Sequence, residues 1–345
     1  MKNVKAQRIV YALFLLFTFG VIVVIGILDQ GKVRLDEAIA KMDLMYVAIA
    51  VFCLIMFWLL EAYTLKYVTV SMDRKISFFR SLRIGLIGLL YGALTPSATG
   101  GQPVQIMFMR KNGIPTGTAT SVMVVKFIAF QGTICFLFLV AILYKFVFFL
   151  NTFAEQLIII GIGFFVNLIV LAVAVLAMFR KDWIAKATYG LLRFLHRIRI
   201  IKNLDKAKES CEKTLEEFHN GMIAIRRIKS RIWYLCSVVC IQMLFQFAIT
   251  YFIYRACGLS LYTALDIVSL QAILFLTVAY LPLPGASIAS EGGFMLVFGS
   301  IFGSWAFAGM VLWRALTYYA QIFCGGVTML IDNLVNRRSK LKHTS

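Results

Sequence analysis

Acidic side chains are scarce in this chain: 16 Asp and Glu stand against 35 Lys and Arg. Charge of either sign is scarce too, at 15% of residues, where a soluble domain carries roughly one quarter. Hydrophobic residues make up 61%, and the mean hydropathy is +0.85. This balance excludes an ordinary water-soluble domain and indicates an integral membrane protein. Histidine is nearly absent: His196, His219 and His343 all lie outside the apolar runs. The 7 cysteines show no metal-ligand spacing. All but Cys211 lie in or beside apolar segments, so they read as small packing residues. No metal and no other cofactor is expected. Walker A, H-E-x-x-H and nucleophile-elbow patterns are missing as well. ATP drive within the chain and membrane-embedded catalysis are therefore poorly supported. Proline is the last scarcity, with 5 in 345 residues, and four of them fall in two short stretches.

What is abundant is positive charge beside oily runs. A net charge of +19 suggests nucleic acid in a soluble protein. Here the basic clusters flank apolar segments, which indicates a cytoplasmic face against anionic headgroups and no nucleic-acid partner. Apolar runs lie near 9–28, 44–65, 84–94, 117–149, 155–179, 232–254, 262–281, 291–304 and 305–331. The first lacks a signal-peptidase pattern and reads as an uncleaved span. The run 84–94 is too short for a hydrocarbon core of roughly 30 Å.

Charge placement then orders the spans. Lys2, Lys5 and Arg8 put the N-terminus inside, and Lys66, Arg74, Lys75, Arg80 and Arg83 put the loop 66–83 inside. Arg110 and Lys111 stay inside if 84–110 is a re-entrant hairpin. The same logic makes 262–304 a second hairpin, dipping from outside. The expected fold is all-α: six spanning helices plus two opposed re-entrant hairpins, in pseudo-inverted halves, with eight broken helices as the alternative. Its parts are an N-terminal membrane half 1–179, basic amphipathic cytoplasmic helices 180–231, a C-terminal membrane half 232–331 and a basic tail 332–345. Both termini are then cytoplasmic. Segment 180–231 holds 14 Lys and Arg against 6 Asp and Glu. Within it, Leu204, Ala207, Cys211, Leu215, Phe218, Met222 and Ile225 recur at helical spacing.

The two breaks carry the chemistry. In "TPSATGGQPVQ", Pro96 and Pro103 bracket Ser97, Thr99, Gly100, Gly101 and Gln102, with Thr95 and Gln105 outside them. In "PLPGASIASEGG", Pro282, Pro284 and Gly285 lead to Ser287, Ser290, Glu291, Gly292 and Gly293. Irregular backbone survives in a bilayer only when buried in protein or lining a wet cavity. Paired breaks in opposite halves are a transporter pattern. Thr99 or Gly100, and Ser287 or Ser290, are the expected caps of returning half-helices whose N-termini attract anions. Lys126, Glu291 and Arg314 are ionisable groups within apolar runs, and such groups are functional by default. The expectation is that they line one headgroup cavity, with Gln131 and Tyr318 as further lining groups. Glu61 lies toward the inner end of its span.

These stretches, with "GIPTGTATSVMVVKF" and "WRALTYY", resemble the transmembrane domain of lysylphosphatidylglycerol synthases, the flippase half of the multiple peptide resistance factor. The resemblance covers about residues 9–331. It implies a bacterial plasma-membrane protein that moves a phospholipid, such as an aminoacylated phosphatidylglycerol, across the bilayer, a function tied to antimicrobial-peptide resistance. The alternative it implies is a phosphatidylglycerol lysyltransferase-type enzyme of lipid metabolism, or a partner subunit of one. A homo-oligomer or a separate lipid-modifying enzyme is the protein partner it leaves open. The lysyl-transfer domain of bifunctional relatives has no counterpart in 180–231 or after 331. Many stand-alone relatives have Gly-Glu at Gly101-Gln102 and Glu-Arg at Val125-Lys126. The exchange of those carboxylates for neutral or basic groups favours an anionic headgroup at the first hairpin.

Overall fold

The computed structural model describes residues 40–144, 157–179, 189, 190, 193, 204–226, 229–278 and 289–342. The first apolar run, most of 180–203 and the stretch 279–288 lie outside them. Every regular element among the described residues is helical.

Asp43 caps α1 (Leu44–Ser71), its carboxylate accepting the Met45 N–H at 2.9 Å. Ser77 caps α2 (Phe78–Ala93) through the Arg80 N–H. A tight turn leads to α3 (Gly101–Lys111), and a short link containing Gly113 leads to α4 (Thr116–Tyr144). The pair α2/α3 is a packed helical hairpin. Glycine makes the approach possible: a side chain on Gly101 would lie 2.9 Å from the Gly88 carbonyl oxygen. The hairpin is longer than its apolar run, because α2 begins in the basic stretch at Phe78. At 16 and 11 residues the two arms reach only about 24 and 16 Å.

After α5 (Leu157–Phe179) comes the polar helix α6 (Leu204–Arg226), which lies on the first turns of α4. Phe218 and Met222 of its expected apolar face are buried there. Gly117 and Ser121 of α4 admit it closely. The Ser121 hydroxyl donates to the Phe218 carbonyl at 2.9 Å, and Glu217 accepts the Gly117 N–H at 3.0 Å. A carboxylate from α6 thus caps α4.

The second half repeats the order of the first. A long helix, α7 (Lys229–Ala256), precedes α8 (Ala264–Val278), α9 (Ala289–Phe302) and then α10 (Ala306–Arg314) running on into α11 (Ala320–Lys342). Thr263 and Asp266 form a reciprocal capping box at the start of α8, each accepting the other's N–H. Between α9 and α10 the chain reverses at Gly303, whose φ of 56° lies in the left-handed region that glycine adopts without strain. The long helices α1 and α7 run antiparallel. The Asp43 N–H reaches the Ala256 carbonyl at one end, and the Tyr63 and Tyr234 hydroxyls meet at 2.8 Å at the other. Each hairpin also packs on the closing helix of the other half, α2 on α11 and α8 on α4.

Among the described residues, four helical stretches are long and apolar enough to cross a membrane: Leu44–Ser71, Thr116–Tyr144, Arg231–Ala256 and Ala289–Asp332. The last is folded back on itself at Gly303.

Candidate functional site

The first break is a self-satisfied turn. The Thr95 hydroxyl donates to the Tyr91 carbonyl at 2.7 Å and accepts the Gly100 N–H at 2.8 Å. Gly101 N–H goes to the Ala98 carbonyl. Ser97 and Ala98 hold φ of 49° and 55°, a left-handed geometry that costs a non-glycine residue about 1 kcal/mol or more. Of the two expected caps, Thr99 and Gly100, the structure selects Gly100. Thr99 turns back to the Pro96 carbonyl at 2.9 Å, and Gly100 occupies the cap position with no side-chain bond. Thr95 supplies the bond instead, because its hydroxyl reaches across the turn. The N-terminus of α3 therefore offers an anion fewer N–H groups than the motif suggests. Pro103 sits in its first turn, exposed beside Gln102.

The ionisable groups do not converge as one triad. Lys126 pairs with Glu61 at 2.5 Å, and Arg314 pairs with Glu291 at 2.7 Å. Each cation sits on a closing helix, so each meets the carboxylate its own half brings near, Glu61 of α1 or Glu291 of α9.

Around Glu61 four helices meet. Besides Lys126 of α4, its carboxylate accepts from Gln242 of α7 at 3.1 Å and lies 3.5 Å from the amide of Gln105 on α3. A fifth helix, α2, gives room with glycine: a side chain at Gly88 would collide with Gln105, and one at Gly85 would touch Glu61. The Glu61 and Lys126 side chains are 15% and 12% exposed, so the pair is sheltered yet reachable.

The second centre is more deeply buried. Glu291 is 0% and Arg314 5% exposed. Among the described residues, Glu291 Oε2 has no hydrogen-bond partner. The Arg314 guanidinium lies 4.4 Å from the centre of the Tyr318 ring. Tyr318 in turn donates to the Ala93 carbonyl, where α2 ends and the first break begins, at 3.2 Å. A chain of contacts thus runs from the helix after the second break to the edge of the first. Arg314 is followed by one π-helical turn, Ala315–Tyr319. Such turns are rare and recur at functional sites.

Gln131 bonds to Asn167 of α5, and the Asn167 amide donates to the Gly163 carbonyl at 2.7 Å and the Leu276 carbonyl at 3.3 Å. Gln131 therefore joins α4, α5 and α8. Ser290 lies inside the first turn of α9, buried, and not ahead of the helix as a cap would. A side chain added at Gly293 would collide with Leu274 of α8, whereas one at Gly292 would meet no described atom within 4 Å. Pro282, Pro284, Gly285 and Ser287 lie outside the described residues. Sequence reasoning left out Gln242 and Asn167 and gave Glu61 no role. Each is a polar residue in an apolar run, which was the available signal.

Long apolar helices, packed short helices and ion pairs sheltered between helices define a multi-pass all-α membrane protein. The chain belongs to the family described as the lysylphosphatidylglycerol synthase transmembrane region, whose model matches residues 9–325. It is also similar to a UPF0104 membrane protein of Archaeoglobus fulgidus, at 25% identity over 312 residues, 85% of this chain and 88% of that protein.

Proposed function

We propose that this protein moves a phospholipid, or another phosphate-bearing lipid, between the leaflets of the plasma membrane as a flippase or scramblase. The observation that carries the reading is the pair of sheltered ion pairs, each set beside a helical hairpin and each on a closing helix. In this reading the two hairpins are re-entrant from opposite faces, six further helices span, and both termini are cytoplasmic. Half-helices too short to cross a bilayer and the antiparallel match of α1 with α7 support it.

At rest each cation is neutralised by its own carboxylate. An arriving phosphate replaces that carboxylate on Lys126 or Arg314. At the first centre the exchange is cushioned, since Gln242, with Gln105 beside it, still donates to Glu61 once Lys126 turns away. Among the described residues Glu291 has no second donor on Oε2, so parting it from Arg314 costs more. The two centres then differ in affinity, as inner and outer stations of one path would. The name of the family makes an aminoacylated phosphatidylglycerol one candidate cargo.

The test is leaflet exchange of fluorescent lipids of several headgroups by the purified, reconstituted protein. The wild type is expected to exchange phosphate-bearing lipids in a headgroup-dependent way. Lys126→Ala and Glu291→Gln are each expected to slow it by about tenfold or more, the effect of losing roughly 1.4 kcal/mol at the barrier. Exchange absent from the wild type, or untouched in both variants, overturns the reading.

A further inference from the structure

The exchange of partners described above leaves one buried acid without a counter-charge. Glu291 is the third residue of α9 and is 0% exposed. Its Oε1 accepts from the Arg314 Nε at 2.7 Å, and no described group bonds its Oε2. Among the described residues, α8 and α10 are the helices that pack on α9. α8 has one charged residue, Asp266 in its first turn, which accepts the Thr263 N–H. α10 has one, Arg314, with the Tyr318 ring beside it. α7, which packs on α10, has Lys229 and Arg231 in its first turn and Arg255 in its last, bound to Tyr46. α1, which meets the π-helical turn, has Lys66 and Glu61, and Glu61 is paired with Lys126. The sequence before α9, "AYLPLPGASI" at 279–288, has no acidic or basic residue. Arg314 is thus the counter-charge of Glu291.

An anion that takes Arg314 leaves the Glu291 carboxylate enclosed and alone. A fully buried carboxylate is too costly to persist so, and it neutralises by taking a proton. Oε2 is the oxygen ready for that proton, because Arg314 holds Oε1. The charges then balance: a phosphodiester brings one negative charge, the proton one positive, and the site stays neutral. The first centre has less need of a proton. Glu61 is 15% exposed, accepts from Gln242 and lies beside Gln105. Carboxylates inside membrane helices serve as proton carriers on the same physical ground.

We propose that Glu291 is a proton-binding site, which takes one proton on Oε2 when an anionic headgroup occupies Arg314 and returns it when the headgroup leaves. Each anionic lipid that passes the second centre then brings one proton with it. The proton comes from water on the side the lipid leaves and goes to water on the side it reaches. This coupling rests on the lipid-carrier reading above.

The test reconstitutes the protein into phosphatidylcholine vesicles with a trace of fluorescent phosphatidylglycerol, and dithionite quenching reads its share in the outer leaflet. One-to-one coupling makes the lipid ratio follow the proton ratio, so about one pH unit across the vesicle is expected to enrich the tracer about tenfold on the alkaline side. Glu291→Gln is expected to slow exchange and to bring the tracer to an even distribution at the same pH difference. Glu61→Gln, the control, is expected to keep the enrichment. An even distribution reached by the wild type overturns the coupling. Enrichment that survives Glu291→Gln, or that only Glu61→Gln abolishes, overturns the assignment to Glu291.

A second readout needs no transport. Dihexanoyl phosphatidylglycerol is added to the protein in weakly buffered detergent with a pH-indicator dye. The wild type is expected to take up about one proton per chain at saturation, and Glu291→Gln none. No uptake at any lipid concentration overturns the site. Exchange without uptake removes the site but not the carrier. Uptake without exchange removes the carrier but not the site.

Discussion

At the scale of single residues, the two ion pairs look alike in sequence and differ in surroundings. Arg314 and Glu291 are enclosed, and removing Arg314 takes the ion-pair partner from a fully buried carboxylate. Arg314→Met is expected to destabilise the protein by about 3–5 kcal/mol, and the double variant Arg314→Met/Glu291→Gln by clearly less. Thermal unfolding in detergent checks this as a double-mutant cycle; equal losses in the single and double variants would contradict the pairing. Lys126→Met should cost less than Arg314→Met, because Glu61 is 15% exposed and keeps the Gln242 amide. Lys126, Glu291 and Arg314 were legible as functional candidates because a charge in an oily run is conspicuous. The partner of Lys126 was not, since Glu61 and Lys126 are far apart in the chain and meet only when α1 and α4 pack.

At the scale of elements, small residues decide which helices touch. Gly117 is the clearest case, for a side chain there would lie 2.3 Å from the Thr214 carbonyl oxygen. Gly117→Leu is expected to lift α6 from α4 and speed proteolysis near the exposed Lys213, while Gly132→Leu, in open space on the same helix, leaves the rate unchanged. Limited digestion of the purified protein measures both. The apolar face of α6 was readable from its 3-4 spacing. Its target was not, because Gly117 and Ser121 are unremarkable in a helix until a second backbone lies against them. At α3 the sequence left Thr99 and Gly100 as caps and did not show that Thr95 closes the turn, because only the left-handed Ser97 and Ala98 bring its hydroxyl to the Gly100 N–H.

At the scale of the whole molecule, topology is the open expectation. Cysteines at Lys111 and Ser260, both exposed, are expected to label with an impermeant maleimide from the cytoplasmic and the outer side respectively. Labelling of both from one side would replace the re-entrant hairpins with full crossings. The native Cys211 adds little background, since burial and the charge of Glu212 raise its thiol above the ordinary range. At ordinary pH that lowers the reactive thiolate fraction.

Membrane class, helical class and the position of the first break followed from sequence alone. A bilayer admits only chains that satisfy their own backbone, so length and polarity along one dimension suffice to find its helices and their interruptions. Which carboxylate neutralises which cation, and that Tyr318 ties the second centre to the edge of the first break, were decided only by tertiary structure. Those contacts join residues as far apart as Ala93 and Tyr318, and no one-dimensional pattern records which faces of two packed helices meet.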